Sequence, residues 1–222
     1  MTILLARHGN TFGPEDPVVW VGRETDLPLV EKGWRQAQAV GQALKDNALI
    51  PDAIVCASLA RTRGFAETVA RICAPEVTPQ VDARLDEVDY GAWARRSTEE
   101  IAASHPDAAG WLEAWSRHDS WPPVAAGWGS SREGLDAALD AFIAAVIRPF
   151  PVERILLLVS SNGVLRFLPR RLAATDPEGR ESYVMKTGHL GVLTRQDGEF
   201  AVRVWNAGPA ELASRLAQPA GK

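Results

Sequence analysis

The chain reads as an α/β protein: three layers, α/β/α, around a mostly parallel sheet with helices on both faces and an antiparallel edge strand. Three observations point there. Short β-rich runs alternate with amphipathic stretches of helical period, the strand-like runs are apolar without strict alternation, and two late runs flank Asp197-Gly198, a hairpin turn signal. The length of 222 residues suits a single domain over 1–222.

Taken in order, strands are expected at 2–6, 53–57, 76–81 and 155–160. Between the first two, Trp34, Ala37, Gly41 and Leu44 recur at three- and four-residue spacing, predicting a helix over 31–46 despite Gly33 and Gly41. A second helix is expected over about 59–72 after Ser58. A third is expected over about 131–147, where Leu135, Ala138, Leu139, Phe142, Ile143 and Val146 make one apolar stripe. The runs 188–195 and 199–205 form the hairpin. The segment from about 93 to 130 stands apart as an inserted cap, and over 105–130 it reads as a helix followed by a loop. It holds Trp111, Trp115, Trp121 and Trp128 among Pro122, Pro123 and several glycines, either an aromatic lid over a ligand or a cluster sealing the insertion. Gln218 to Lys222 read as a frayed tail.

A net charge of −4 gives no general attraction to nucleic acid or anionic lipid, so anion binding has to be local. Twenty of the 24 basic residues are arginine, the side chain suited to forked phosphate recognition. Cys56 and Cys73, both in apolar segments, are expected as buried thiols rather than a disulfide. No basic leader precedes an apolar stretch, and no apolar run approaches the roughly 20 residues that span a bilayer, so a cytoplasmic location without membrane contact is expected.

Ligands of open α/β sheets bind beyond the carboxyl ends of the strands. After the first strand come Arg7, His8, Gly9, Asn10 and Thr11, where the glycine permits close backbone approach and an imidazole is placed to attack phosphorus. After the second come Ser58 to Thr62, with Arg61 near a helix start as a second phosphate arm. After the fourth come Ser160, Ser161, Asn162 and Gly163. The loop Arg84 to Gly91 offers Asp86, Glu87 and Asp89, one of which would protonate a leaving alkoxide.

These motifs together resemble the histidine phosphatase superfamily, which includes the cofactor-dependent phosphoglycerate mutases. The resemblance rests on Leu5-Ala6-Arg7-His8-Gly9-Asn10-Thr11, on Gly22 with Asp26-Leu27-Pro28-Leu29 and Gly33, on Ser58-Leu59-Ala60-Arg61-Thr62 with Thr68, and on Leu85-Asp86-Glu87 with Gly91 and Trp93. It implies that His8 becomes phosphohistidine, that Arg7 and Arg61 clamp the phosphoryl oxygens and that Glu87 is the proton donor. Asn10, Ser161 and Asn162 are placed with the phosphate-binding residues. Neither metal nor organic cofactor is implied, and the partner is a small phosphorylated substrate or free phosphate, with a homodimer as a further expectation.

The pattern departs from the family after the fourth strand, where a second histidine normally follows the serine. Here Ser161 occupies that position, shorter and neutral, and losing such a donor should cost on the order of 10²–10³ in rate unless compensated. Asn162 or His189 is the compensating residue to look for, whereas His105 and His118 read as surface residues. Val30 replaces the usual threonine N-cap before the first long helix. Ala94-Arg95 and Gly127-Trp128-Gly129-Ser130 also differ from the family pattern. Three functions remain open: a phosphomonoesterase working through phosphohistidine with weakened activity, a non-catalytic phospho-ligand-binding module, and mutase-type phosphotransfer.

Overall fold

The structure, a computed structural model, describes residues 1–218, so of the expected tail only Gln218 falls within it. The strands are β1 (Thr2–Arg7), β2 (Ala53–Cys56), β3 (Gln80–Val81), β4 (Ile155–Ser160), β5 (Leu190–Gln196) and β6 (Glu199–Ala207). They form one sheet in the order β3-β2-β4-β1-β5-β6. The first four run parallel, while β5 pairs antiparallel with both β1 and β6. The antiparallel edge is therefore two strands wide, not one.

The parallel strands are apolar on both sides because both sides are covered. Ile3 and Leu5 of β1 and Leu156 and Leu158 of β4 enter one core, and the alternating Leu4, Ala6, Leu157 and Val159 enter the other. The second core is closed by α1 (Glu31–Asp46), α2 (Ala60–Cys73) and α8 (Leu212–Ala217). The first lies under α3 (Thr98–Ala102), α4 (Ala108–His118), α5 (Arg132–Phe142), α6 (Asn162–Leu165) and α7 (Leu168–Arg171). This is the three-layer arrangement the apolar runs predict.

Two expected elements are shorter. The strand over 76–81 contracts to Gln80–Val81, since Pro75 and Pro79 have no N–H to give a ladder. The helix over 131–147 stays α-helical only to Phe142. It then widens into a π turn, Ile143–Ile147, in which Arg148 N donates to Ile143 O. Val30 makes no side-chain cap at the start of α1. The start of α2 is capped from a distance, with Ala60 N donating to Asp26 Oδ1 at 2.6 Å. Cys56 and Cys73 are buried free thiols, each pushed up to about 11 by burial. Among the described residues no helix is long and apolar enough to cross a membrane.

Candidate functional site

Parallel pairing of β1 with β4 sets Arg7 opposite Ser160, so the chain leaves both central strands at one point of the sheet. His8 N donates to Ser160 O across this gap at 3.1 Å. The loop that follows lies flat against the first turn of α1: a Cβ on Gly9 would sit 2.5 Å from Gly33 O. Two glycines facing each other allow that contact, and it fixes the loop that carries the imidazole.

His8 is buried, and its Nδ1 lies 2.8 Å from Gly9 O. A carbonyl only accepts, so Nδ1 carries the proton and Nε2 keeps its lone pair. Burial, then Arg61 and Arg7, hold the imidazole well below its ordinary 6.5, against the opposing pull of the Gly9 carbonyl. The ring is thus a neutral nitrogen nucleophile over the physiological range.

Both arginines are anchored through backbone carbonyls. Arg7 donates from Nη1 to Met185 O at 2.6 Å, and its buried Nε has no hydrogen-bond partner among the described residues. Arg61, buried in α2, donates to Thr25 O at 3.0 Å and Gly22 O at 3.2 Å, which ties it to the loop before α1. Of the three carboxylates in the 84–91 loop, each has a different task. Asp86 accepts from Ser58 N and Oγ at 2.6 and 2.7 Å, and Asp89 accepts from Gly91 N at 2.9 Å. Glu87 alone joins the cavity of His8. Burial pushes its carboxyl above the ordinary 4.5, opposed by the Val88 N–H, by Arg61 and Arg7, and by the Gly163 N–H. A carboxyl that holds its proton more tightly than usual, beside a nucleophile, is placed to act as an acid.

Asn10 and Asn162 also line the cavity. Asn162 Oδ1 accepts from Met185 N at 2.7 Å and Asn10 Oδ1 from Thr187 Oγ1 at 2.8 Å, which leaves each amide nitrogen as a donor. Ser161 is fully buried, its Oγ has no hydrogen-bond partner among the described residues, and it is not part of the cavity wall. His189 is likewise not brought to the cavity. It precedes β5, with Nδ1 2.9 Å from Asn206 O of β6, and only its backbone serves the site, accepting Arg7 N–H at 3.2 Å. Of the two residues expected to compensate at Ser161, Asn162 lines the cavity and His189 does not. His105 and His118 are exposed.

The cavity has a volume of about 950 Å³ and brings in residues that sequence reasoning passed over, notably Arg166, Tyr90, Trp20 and Thr187. One signal was available: Arg166 is a lone charge inside Val164-Leu165-Arg166-Phe167-Leu168. Of the four tryptophans in 105–130, Trp111 stacks on His105, and the other three join a larger aromatic cluster. Trp20, Tyr90, Trp93, Trp115, Trp121 and Trp128 form a chain of edge-to-face contacts, with centroids 4.9–6.4 Å apart. This cluster packs into the first core, while Trp20, Tyr90 and Trp115 also line the cavity.

A family model described as the histidine phosphatase superfamily (branch 1) matches residues 3–208. Over 99% of this chain and 97% of the relative, the sequence is 29% identical to "Probable phosphoglycerate mutase GpmB" of Salmonella arizonae. It is 34% identical to the protein of the same name from Citrobacter koseri over 43% of this chain, a match that spans 42% of the relative's length. The fold is shared with the α-ribazole phosphatase of Shigella flexneri (TM-score 0.68, 24% identity, 93% of this chain and 96% of that one). It is shared equally with a mycobacterial glucosyl-3-phosphoglycerate phosphatase solved with inorganic phosphate (TM-score 0.73, 23% identity, 94% and 98%).

Proposed function

Because the chain belongs to the histidine phosphatase superfamily, we propose that it is a phosphomonoesterase acting through a phosphohistidine on a small phosphorylated metabolite. The observation that carries this reading is the buried neutral His8, with Nε2 free, sharing one cavity with Arg7, Arg61 and Glu87. Nε2 attacks phosphorus as the ester P–O bond breaks, and the Glu87 carboxyl gives its proton to the departing alkoxide. Arg7 and Arg61 take up the charge of the equatorial oxygens. Water then attacks the phosphohistidine, returns a proton to the Glu87 carboxylate, and frees phosphate and His8. In this reading the whole chain is one domain and the 93–130 segment is its cap. Hydrolysis of an aryl phosphate and a panel of phosphometabolites, with acid-quench trapping of phosphohistidine, tests it. His8→Ala should abolish both signals, and a variant that still turns over overturns the mechanism.

A second reading, a phospho-ligand-binding module without turnover, is favoured by one observation: the position after Ser160 holds a serine whose hydroxyl is withdrawn from the cavity. Thermal protection by phosphate with no hydrolysis identifies it. Mutase-type transfer would use the same His8 chemistry and would show itself as exchange that depends on a bisphosphate primer.

A further inference from the structure

We propose that Arg166 is a third phosphoryl-binding arginine, supplying the cationic donor that Ser161 does not, and that Asp119 of the inserted segment positions it. The proposal rests on the phosphohistidine reading of the same cavity. Arg166 follows α6, only five residues after Ser161, and its side chain is 2% exposed. Its Nη1 donates to Trp115 O at 2.6 Å, and the guanidinium lies 4.2 Å over the Trp115 ring. Nε faces Asp119 Oδ1 at 3.4 Å without an aligned hydrogen bond. Nη2 makes no hydrogen bond to any described residue, yet Arg166 forms part of the cavity wall with His8, Arg7, Arg61 and Glu87.

A buried guanidinium with donors to spare is costly unless something satisfies them. A phosphoryl oxygen entering the cavity does so, at the end of the strand where the histidine is missing. Asp119 holds the arm in place. It ends α4 in the left-handed region (φ 53°), which an aspartate tolerates, and its side chain is fully buried. Its carboxylate also accepts from Arg170 Nη1, from Ser182 Oγ at 2.7 Å and from Tyr183 N at 2.9 Å. The cap and the 181–185 loop thus converge on one anion, and that anion orients Arg166.

Orthovanadate, an analogue of the phosphoryl group in flight, is the probe. Arg166→Met should weaken vanadate binding and lower aryl phosphate turnover by about 10²-fold, with Arg166→Lys in between and millimolar guanidinium restoring part of the loss. Asp119→Asn should weaken vanadate binding in the Arg166 background but have no further effect in the Arg166→Met background, whereas a purely structural role would add. A crystal of the unaltered protein with vanadate, independent of any variant's folding, should place Nη2 within hydrogen-bond distance of an oxyanion oxygen. A guanidinium out of reach of the oxyanion, or a folded Arg166→Met with vanadate affinity and turnover within twofold of wild type, overturns the proposal. If His8→Ala abolishes turnover while Arg166→Met does not, this inference falls and the phosphohistidine reading stands. If wild type neither binds vanadate nor hydrolyses any ester, both fall.

Discussion

Gly163 lies so close to Glu87 that a Cβ added to it would sit 2.2 Å from Oε1, while its own N–H points at Oε2 from 3.4 Å. The same Cβ would be 2.7 Å from the Tyr90 hydroxyl. The turn after β4 and the carboxyl of the 84–91 loop are fitted to each other through the absence of a side chain. Gly163→Ala should therefore displace the acid: we expect a loss of roughly 1–3 kcal/mol in stability, the range for overpacking, together with a fall in kcat. Unchanged thermal midpoint and turnover would show that the contact is slack.

The burial of His8 and Glu87 moves the two limbs of the activity profile apart. His8 must be neutral, and its value is depressed, so the acid limb lies well below pH 6.5. Glu87 must be protonated, and its value is raised, so the alkaline limb lies above pH 4.5. Glu87→Gln should erase the alkaline limb and cost about 10²–10⁴ in kcat for alkyl phosphates, less for aryl esters whose leaving groups need no proton. Equal losses on both substrate classes would remove Glu87 from the role of acid.

The same shifts act on stability. For His8 the folded value lies below the unfolded 6.5, so the unfolded chain binds more protons as pH drops, and stability is lost as pH falls from 6.5 through the folded value. His8→Ala should flatten the decline of the thermal midpoint in that window. For Glu87 the folded value is raised, so its contribution is complete below pH 4.5 and lost as pH rises through the folded value. Glu87→Gln should accordingly raise the midpoint at pH 8 while lowering activity. A fall at pH 8 would mean that the carboxylate is stabilised where it sits.

Arg61 holds the Gly22 and Thr25 carbonyls with both Nη atoms and faces the cavity as well. Lysine cannot keep two such anchors and a phosphate contact at once. Arg61→Lys should weaken inorganic phosphate binding by about 10–10²-fold, the span of one or two charge-assisted hydrogen bonds, measured by calorimetry. Affinity within twofold of wild type would confine Arg61 to holding the loop.

Val30 takes an extended conformation at the start of α1 with no side chain to offer the first N–H groups. Val30→Thr should stabilise the protein by about 1 kcal/mol, raising the midpoint by about 2–4 °C in a chain of this length. No rise would indicate that the threonine hydroxyl finds another partner in the cavity wall.

The layers, the central strands and the first two long helices were legible in the amino-acid pattern alone. It also marked the residues at the strand ends, because period and apolar continuity are local properties and ligands gather at the carboxyl ends of parallel strands. Local pattern could not rank the carboxylates of the 84–91 loop, and Glu87 was singled out only through the family resemblance. Asp86, Glu87 and Asp89 are near neighbours with the same chemistry, and only packing sends Asp86 to Ser58, Asp89 to Gly91 N and Glu87 beneath Gly163. Nor could it choose between Asn162 and His189, and it passed over Arg166. The histidine sits near the strand ends in sequence, but the antiparallel edge turns its ring towards Asn206, while Arg166, packed beside the distant Asp119, lines the cavity. Which side chains face a common space depends on contacts such as Arg61 with Gly22 and Arg7 with Met185, 39 and 178 residues apart, and local pattern carries no record of them.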